Sequence, residues 1–268
     1  MDAPSRLVLL GHPVAHSISP AFQNAALRAA AIPLTYSLLD VAPDALSATL
    51  DVLAREPAAG NITIPHKETV YAQCIRVSAL ARRVGAVNTF WHEDGELVGD
   101  NTDVGGAEMV MRALAGGPLA ESRIAVIGAG GSASAVLCAA ERCRVSDVRV
   151  YNRSMGRAEQ LVDRFAGVSR VANSLEAALE GATLVVNATP VGLHEGAGFP
   201  VPLELLPSGC AVFDLTYRRG ETAWVTAARN AGHRAADGEG MLIEQGALSF
   251  ERWFGIAPDR DAMWKAIH

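Results

Sequence analysis

Short continuous apolar runs alternate along the chain with longer stretches of helical period, the signature of βαβ units and a parallel sheet. Early in the chain Arg6–Leu10 reads as a strand. Ser19 and Pro20 open a helix reaching Ala31, with Ser19 as its cap and the proline in the first turn. Tyr36–Val41 and Gly60–Ile64 read as strands on either side of a helix over Pro43–Arg55. A helical stretch over Val77–Val84 precedes a strand at Ala86–Trp91. Asn101–Ala115 has the period of a long helix, stopped by Gly116-Gly117-Pro118. A second series begins at the buried strand Arg123–Ile127, which runs straight into a glycine-rich turn. Helix Ser132–Glu141, strand Val148–Asn152, helix Met155–Phe165, strands Leu184–Asn187 and Ala211–Leu215 and helix Thr222–Ala231 follow. From Gly238 the chain turns helical to its end. The predicted architecture is α/β in two lobes, the second beginning at Arg123.

Composition narrows the classes. With 268 residues, half of them hydrophobic, the chain can bury two cores and is not disordered. The net charge of -6 comes without a basic stripe, which excludes a nucleic-acid binder. The longest small-apolar run, Ala133–Ala140, is far below membrane-spanning length. Met1 to Leu10 carries Asp2 and an apolar run too short for a signal peptide. The four cysteines, Cys74, Cys138, Cys143 and Cys210, fall at no metal-ligand or C-x-x-C spacing and read as reduced core thiols. The expectation is a soluble cytoplasmic enzyme with no metal. No exposed heptad or apolar stripe commits an oligomeric state, and a homodimer stays open.

The glycine turn is the first chemical signal. Gly128-Ala129-Gly130-Gly131-Ser132-Ala133 stands between a strong strand and a helix, the context in which G-x-G-x-x-G/A binds a dinucleotide. Gly128 permits the tight turn, Gly130 lets a pyrophosphate approach the backbone, and Ala133 permits close helix–strand packing. The helix N-terminus offers free N–H donors to the phosphates. An NAD site has an acid at the end of the next strand, to bond the ribose 2′-hydroxyl. Here Asn152-Arg153-Ser154 and then Arg157 stand there, so a 2′-phosphate would be bracketed by two guanidiniums, and the cofactor reads as NADP.

The first lobe concentrates polar groups. Ser17 and Ser19 lie on one side of an extended segment by its two-residue period, beside a helix N-terminus suited to a small carboxylate. Lys67 follows the strand Gly60–Ile64 and the proline Pro65; desolvated beside a helix start, it would be tuned downward for proton transfer. Asn101, Thr102 and Asp103 each suit the cap of the next helix, and an acid beside Lys67 would make a proton-transfer dyad. His66 is a minor candidate for a second acid, since successive residues point apart; His12 and His16 read as structural. Phe250, Trp253 and Phe254 have helical spacing and read as core.

These stretches resemble the shikimate dehydrogenase family. The likeness runs through Gly11-His-Pro-Val-Ala-His-Ser17-Ile-Ser19-Pro20, Asn61-Ile-Thr63-Ile-Pro-His-Lys67, Gly85-Ala-Val-Asn88-Thr89 and Asn101-Thr-Asp103. It continues in Gly128-Ala-Gly-Gly131, Asn152-Arg153-Ser154, Asn187-Ala-Thr189, Asp214-Leu-Thr-Tyr217 and Gly238-Glu-Gly-Met-Leu-Ile-Glu-Gln245. The resemblance spans nearly the whole chain. It implies that Ser17 and Ser19 take the substrate carboxylate. Thr63, Asn88, Asp103, Tyr217 and Gln245 would hold the carboxylate end or the ring hydroxyls. Lys67 paired with Asp103 would be the acid/base, and Thr189, Leu215 and Gly238 would lie along the nicotinamide half of NADP. It also implies a substrate-binding sheet domain, residues 1–103 completed by C-terminal helices 239–268, and a Rossmann-type doubly wound NADP domain, residues 104–238, facing each other across a cleft, with the C-terminal helix packed on the first lobe.

The chain departs from the family at Gln23-Asn24, where His-Asn is usual, at Arg218-Arg219 in place of Asn-Pro, at Arg157 in place of lysine and at Ala79 in place of an acid. None removes a proposed catalytic group. The expected reaction is the reversible NADPH-dependent reduction of 3-dehydroshikimate to shikimate, on the route to aromatic amino acids. The rivals are a quinate or aminoshikimate dehydrogenase of the same family and a non-catalytic NADPH-binding regulator. A short-chain dehydrogenase is disfavoured, since no Tyr-x-x-x-Lys occurs at Tyr36, Tyr71, Tyr151 or Tyr217.

Overall fold

A computed structural model describes residues 4–74, 76–94, 96–193, 196, 198–218 and 220–268. Arg219, one of the two arginines that depart from the family pattern, lies outside the described residues. Two compact units divide the chain: residues 1–103 with 242–268, and residues 104–241.

The first unit opens with β1 (Arg6–Gly11), buried along almost its whole length as expected of a strand covered on both faces. There follow α1 (Ser19–Ala29), β2 (Tyr36–Asp40), α2 (Leu46–Leu53), β3 (Ala58–Ile62), α3 (Lys67–Gln73), β4 (Arg76–Val77), α4 (Ala79–Val84), β5 (Thr89–Glu93) and β6 (Glu96–Asp100). The sheet order is β2-β1-β3-β5-β6-β4. It is mixed rather than parallel: β5 runs antiparallel to both β3 and β6. Hydrophobic alternation predicts a strand but not its direction, and the short connection from β5 to β6 can only reverse the chain. Ser19 does not cap α1. It is the first helical residue, with Ile18 at the cap position, and its N–H donates to Ser17 Oγ at 3.2 Å. Ser78 caps α4 by accepting the Ala81 N–H at 3.0 Å, and Gly85 ends that helix at φ 74°, turning the chain toward Asn88.

The second unit is reached through α5 (Asp103–Ala115). It contains β7 (Arg123–Ile127), α6 (Gly131–Arg142), β8 (Asp147–Tyr151), α7 (Met155–Arg164), β9 (Ser169–Val171), α8 (Leu175–Leu179), β10 (Leu184–Asn187), β11 (Ala211–Asp214), α9 (Ala223–Asn230) and β12 (Arg234–Ala236). All of its described strand pairs are parallel, in the order β12-β11-β10-β7-β8-β9, the doubly wound arrangement whose switch point lies between β7 and β10. Then come α10 (Glu239–Phe254) and α11 (Arg260–Lys265). Ile243, Ala247, Phe250 and Trp253 of α10 recur at helical spacing and join Leu7, Leu9, Phe22 and Tyr36 in the first unit's core.

Candidate active site

Within the first unit, four polar side chains from distant parts of the sequence converge. Lys67 begins α3, and its carbonyl accepts the Val87 N–H at 2.9 Å, tying the helix start to the loop that carries Asn88. Its ammonium Nζ lies 2.7 Å from Asp103 Oδ2, with 20% of the lysine side chain and 7% of the aspartate side chain exposed. The carboxylate is thus enclosed while the amine keeps one open approach, as a proton donor to a bound molecule needs. Asn88 Nδ2 donates to the other oxygen, Asp103 Oδ1, at 2.8 Å and approaches Gln245 Oε1 at 3.1 Å. The amide orientation is fixed by accounting: Asn88 Oδ1 accepts the Thr102 N–H at 2.7 Å, which leaves the NH2 facing the carboxylate. Gln245 Nε2 donates to Leu242 O at 2.8 Å, which turns its oxygen toward Asn88 in the same way.

Ser17 and Ser19 stand at the start of α1. Ser17 Oγ already accepts the Ser19 N–H, so its own proton is free to donate. Thr63 follows β3, and Gly11 is what admits it: a Cβ on Gly11 would sit 2.4 Å from Thr63 Cγ2. The segments bearing Ser17 and Thr63 carry cis bonds at His12-Pro13 and Ile64-Pro65. His66 turns away from Lys67. It is buried, and its Nε2 donates to Val41 O at 2.6 Å. His12 Nδ1 pairs with Asp40 Oδ1 at 2.6 Å on the surface.

The expected cofactor residues all belong to the second unit. Gly128 has φ 116°, and a Cβ there would meet Ala188 O at 2.7 Å, so the turn admits glycine only. Gly130 is described with open space around its missing side chain, and α6 starts at Gly131 with no side-chain cap over its N–H groups. Ala133 is buried against the sheet, just past this opening. Among the described residues no side chain caps the N–H groups at the start of α6, an opening that a pyrophosphate fits. After β8, Asn152 Nδ2 donates to Ser154 O at 2.8 Å, and Ser154, Arg153 and Arg157 are exposed. No acidic side chain pairs with either arginine among the described residues. Thr189 is held by Asn187 Oδ1, which accepts its N–H at 3.0 Å and its hydroxyl at 2.6 Å. Leu215 donates its N–H to Asn187 O at 2.9 Å, and Gly238 packs so tightly on it that a Cβ would lie 2.4 Å from Leu215 O. Tyr217, half-buried just past β11, has its phenol pushed up by burial and by the charge of Glu239.

Two further residues of consequence carry no local chemical signal of their own. Asp214 is fully buried and accepts from Asn187 Nδ2 at 2.8 Å, Thr216 Oγ1 at 2.8 Å and Thr222 Oγ1 at 2.8 Å, binding the loops after β10 and β11 together. Asp237 is buried with Oδ2 unpartnered, and burial pushes its carboxyl up to about 6. Among the described residues no group of three or more histidine, cysteine or acidic side chains could hold a metal, and no helix is long and apolar enough to cross a membrane.

Comparison with known proteins shows the family. Residues 9–90 match the shikimate dehydrogenase substrate binding domain, 110–192 the shikimate / quinate 5-dehydrogenase model and 238–268 the shikimate 5′-dehydrogenase C-terminal domain. A shikimate dehydrogenase (NADP(+)) of Rubrobacter xylanophilus is 42% identical over 277 residues, spanning 100% of this chain and 97% of that protein. The structure of shikimate 5-dehydrogenase from Thermus thermophilus in complex with NADP(H) and shikimate superposes with a TM-score of 0.89 at 39% identity, covering 98% of both chains. Shikimate dehydrogenase from Aquifex aeolicus gives 0.92 at 30% identity over 100% of this chain and 99% of its own. With full-length relatives at this identity and matching models in both units, the chain belongs to the shikimate dehydrogenase family.

Proposed function

We propose that the chain catalyses the reversible NADPH-dependent reduction of 3-dehydroshikimate to shikimate, with Lys67 and Asp103 as its acid/base pair. The observation that carries the site assignment is the 2.7 Å contact between Lys67 Nζ and Asp103 Oδ2, enclosed by Asn88 and Gln245. A regulator that only sensed NADPH would need neither the amine nor the enclosed carboxylate.

Bound NADPH supplies the hydride. The chain's own residues do the rest. Lys67 holds a proton at Nζ and gives it to the ring oxygen as negative charge develops there; in the oxidative direction it takes that proton back. Asp103 keeps the amine aimed, and its carboxylate also accepts from a ring hydroxyl. Ser17 and Ser19 hydroxyls with the N-terminus of α1 bind the substrate carboxylate without a cation. Thr63, Asn88, Gln245 and Tyr217 supply further hydrogen bonds to the substrate. The pyrophosphate is held by N–H groups of the turn Gly128–Ser132, and the 2′-phosphate by Arg153 and Arg157. Free cysteines, three of them buried, suit the cytoplasm.

The test is Lys67→Ala assayed with shikimate and NADP. General acid catalysis is worth about 10²–10⁴-fold, so turnover is expected to fall by that factor with a much smaller change in KM. Turnover like that of the unsubstituted enzyme would overturn the assignment. Quinate in the same assay tests the substrate, since a higher kcat/KM for quinate would reverse the preference.

A further inference from the structure

Beneath the Lys67–Asp103 pair lies a chain of buried hydrogen bonds that the reaction itself does not use. The Tyr36 hydroxyl donates to Asn61 Oδ1 at 2.9 Å. Asn61 Nδ2 donates to Asn88 O at 3.2 Å and to Ser249 Oγ at 2.8 Å. Ser249 Oγ donates to Gln245 O at 2.9 Å and lies 3.0 Å from Thr102 Oγ1. Thr102 Oγ1 is in turn 2.9 Å from Asn88 Nδ2.

A hydroxyl has one proton and two acceptor positions. With its proton on Gln245 O, Ser249 must accept from both Asn61 and Thr102. Thr102 then spends its proton on Ser249 and offers its oxygen to Asn88 Nδ2. Thr102 and Asn61 in turn frame Asn88: the Thr102 N–H donates to its Oδ1 at 2.7 Å and Asn61 Nδ2 to its carbonyl at 3.2 Å. Ser249 is fully buried, at 0% exposure, on the face of α10 that also carries Gln245 and Trp253. Trp253 Nε1 donates to Thr89 Oγ1 at 3.1 Å, so this face is pinned to β3, β5 and the loop after β6 together.

We infer that Ser249 is a positioning residue for the acid/base pair: its hydroxyl ties α10 to Asn61 and Thr102, the two residues that hold Asn88 against Asp103. This rests on the proposed role of Lys67 and Asp103. Without the Ser249 hydroxyl, Thr102 turns its proton to Asn88 Oδ1, already 3.2 Å away, and Asn61 loses an acceptor. Asn61 and Thr102 then lose their tie to α10, and the Asn88 amide that they hold shifts against Asp103 Oδ1.

The experiment is a double-mutant cycle. Ser249→Ala is expected to lower kcat about five- to thirtyfold, the size of one or two lost buried hydrogen bonds. The same substitution in a Lys67→Ala background is expected to change kcat less than about twofold, because a residue acting through the pair has nothing left to position. NADPH affinity, followed by cofactor fluorescence, is expected to stay unchanged and reports that the second unit is intact. Ser249→Cys keeps the volume with a weak hydrogen-bonding thiol and is expected to give the same pattern, which covers the case in which alanine does not fold. Unchanged kcat in both variants, or an equal loss in both backgrounds, overturns the positioning role. Unchanged kcat in Lys67→Ala alone would instead sink the acid/base reading on which it rests.

Discussion

At Asp103 one carboxylate serves two donors, Lys67 at 2.7 Å and Asn88 at 2.8 Å. Asp103→Asn keeps the shape, but it places an NH2 or a neutral carbonyl against the ammonium. Hydrogen bonds to charged groups are worth about 1.5–3 kcal/mol, so kcat/KM is expected to fall about ten- to a hundredfold. Both kcat and KM should worsen if the same group orients the amine and contacts the ring, as proposed; steady-state kinetics with shikimate separates the two, and a change in KM alone would restrict Asp103 to binding. Arg153 makes a parallel case for the cofactor. It is exposed and faces no acid among the described residues, so nothing there competes for its guanidinium. Arg153→Ala is expected to raise the Kd of NADPH about ten- to a hundredfold, with little effect on NADH, the loss of one charge-assisted hydrogen bond to the 2′-phosphate. Equal losses with both cofactors in fluorescence titrations would mean that the arginine meets no 2′-phosphate.

The elements divide into those the sequence announces and those it hides. Strands β1, β7, β10 and β11 are nearly continuous apolar runs and can be read directly, as can the glycine turn before α6. Strands β4, β9 and β12 span two or three residues and lie at sheet edges, too short for any period to register. Strand β6 has only Leu97 and Val98 as large apolar residues, set between Glu96 and Gly99-Asp100, so its hydrophobic pattern is weak, although Asp94-Gly95 before it is a common hairpin pair. Helix α3 presents a single buried residue, Val70, and so carries no stripe. Site motifs are legible because catalytic and glycine-turn residues must occur in set local patterns. The Ser249 network is not, because its partners lie as far apart as Asn61 and Ser249 and nothing local marks them. The same holds at Gln23, which departs from the family pattern: its Nε2 donates to Gly246 O at 3.0 Å across α1 and α10. A Cβ on Gly246 would lie 2.5 Å from Phe22 Cε2 and 3.1 Å from Gln23 Nε2. Gly246→Ala gains about 1 kcal/mol of helix propensity but drives a methyl into a fully buried ring, and overpacking costs about 1–3 kcal/mol. Net destabilisation is expected, seen as a lower denaturant midpoint at unchanged m; a higher midpoint would mean that α1 yields.

Across the whole molecule, stability responds to pH through carboxylates that pull in opposite directions. Asp40 is held low by the His12 hydrogen bond. Burial acts to raise Glu108, but hydrogen bonds from Arg112 and Arg142 outweigh it and leave that carboxyl low as well. Groups of that kind stabilise the fold above their unfolded values, and their contribution is lost as the medium turns acid. Asp237 works the other way. Burial raises it first, the Glu239 N–H donated to Oδ1 lowers it, and the charges of Glu239, Glu221 and Asp214 raise it further, to about 6. A raised carboxyl binds its proton more tightly in the folded state than in the unfolded chain. The stability it contributes is therefore complete below the unfolded value of about 3.9 and is lost as pH rises to about 6 and beyond. Asp237→Asn retains an oxygen for the Glu239 N–H and puts an uncharged NH2 where Oδ2 has no partner. Relative to the unsubstituted protein, it is expected to raise Tm at pH 8 and to show a smaller gain, or a loss, at pH 5. The difference between the two thermal unfolding curves cancels Asp40, Glu108 and every other group the substitution leaves alone. A Tm difference that stays constant from pH 5 to pH 8 would show that Asp237 titrates alike in the folded and unfolded states.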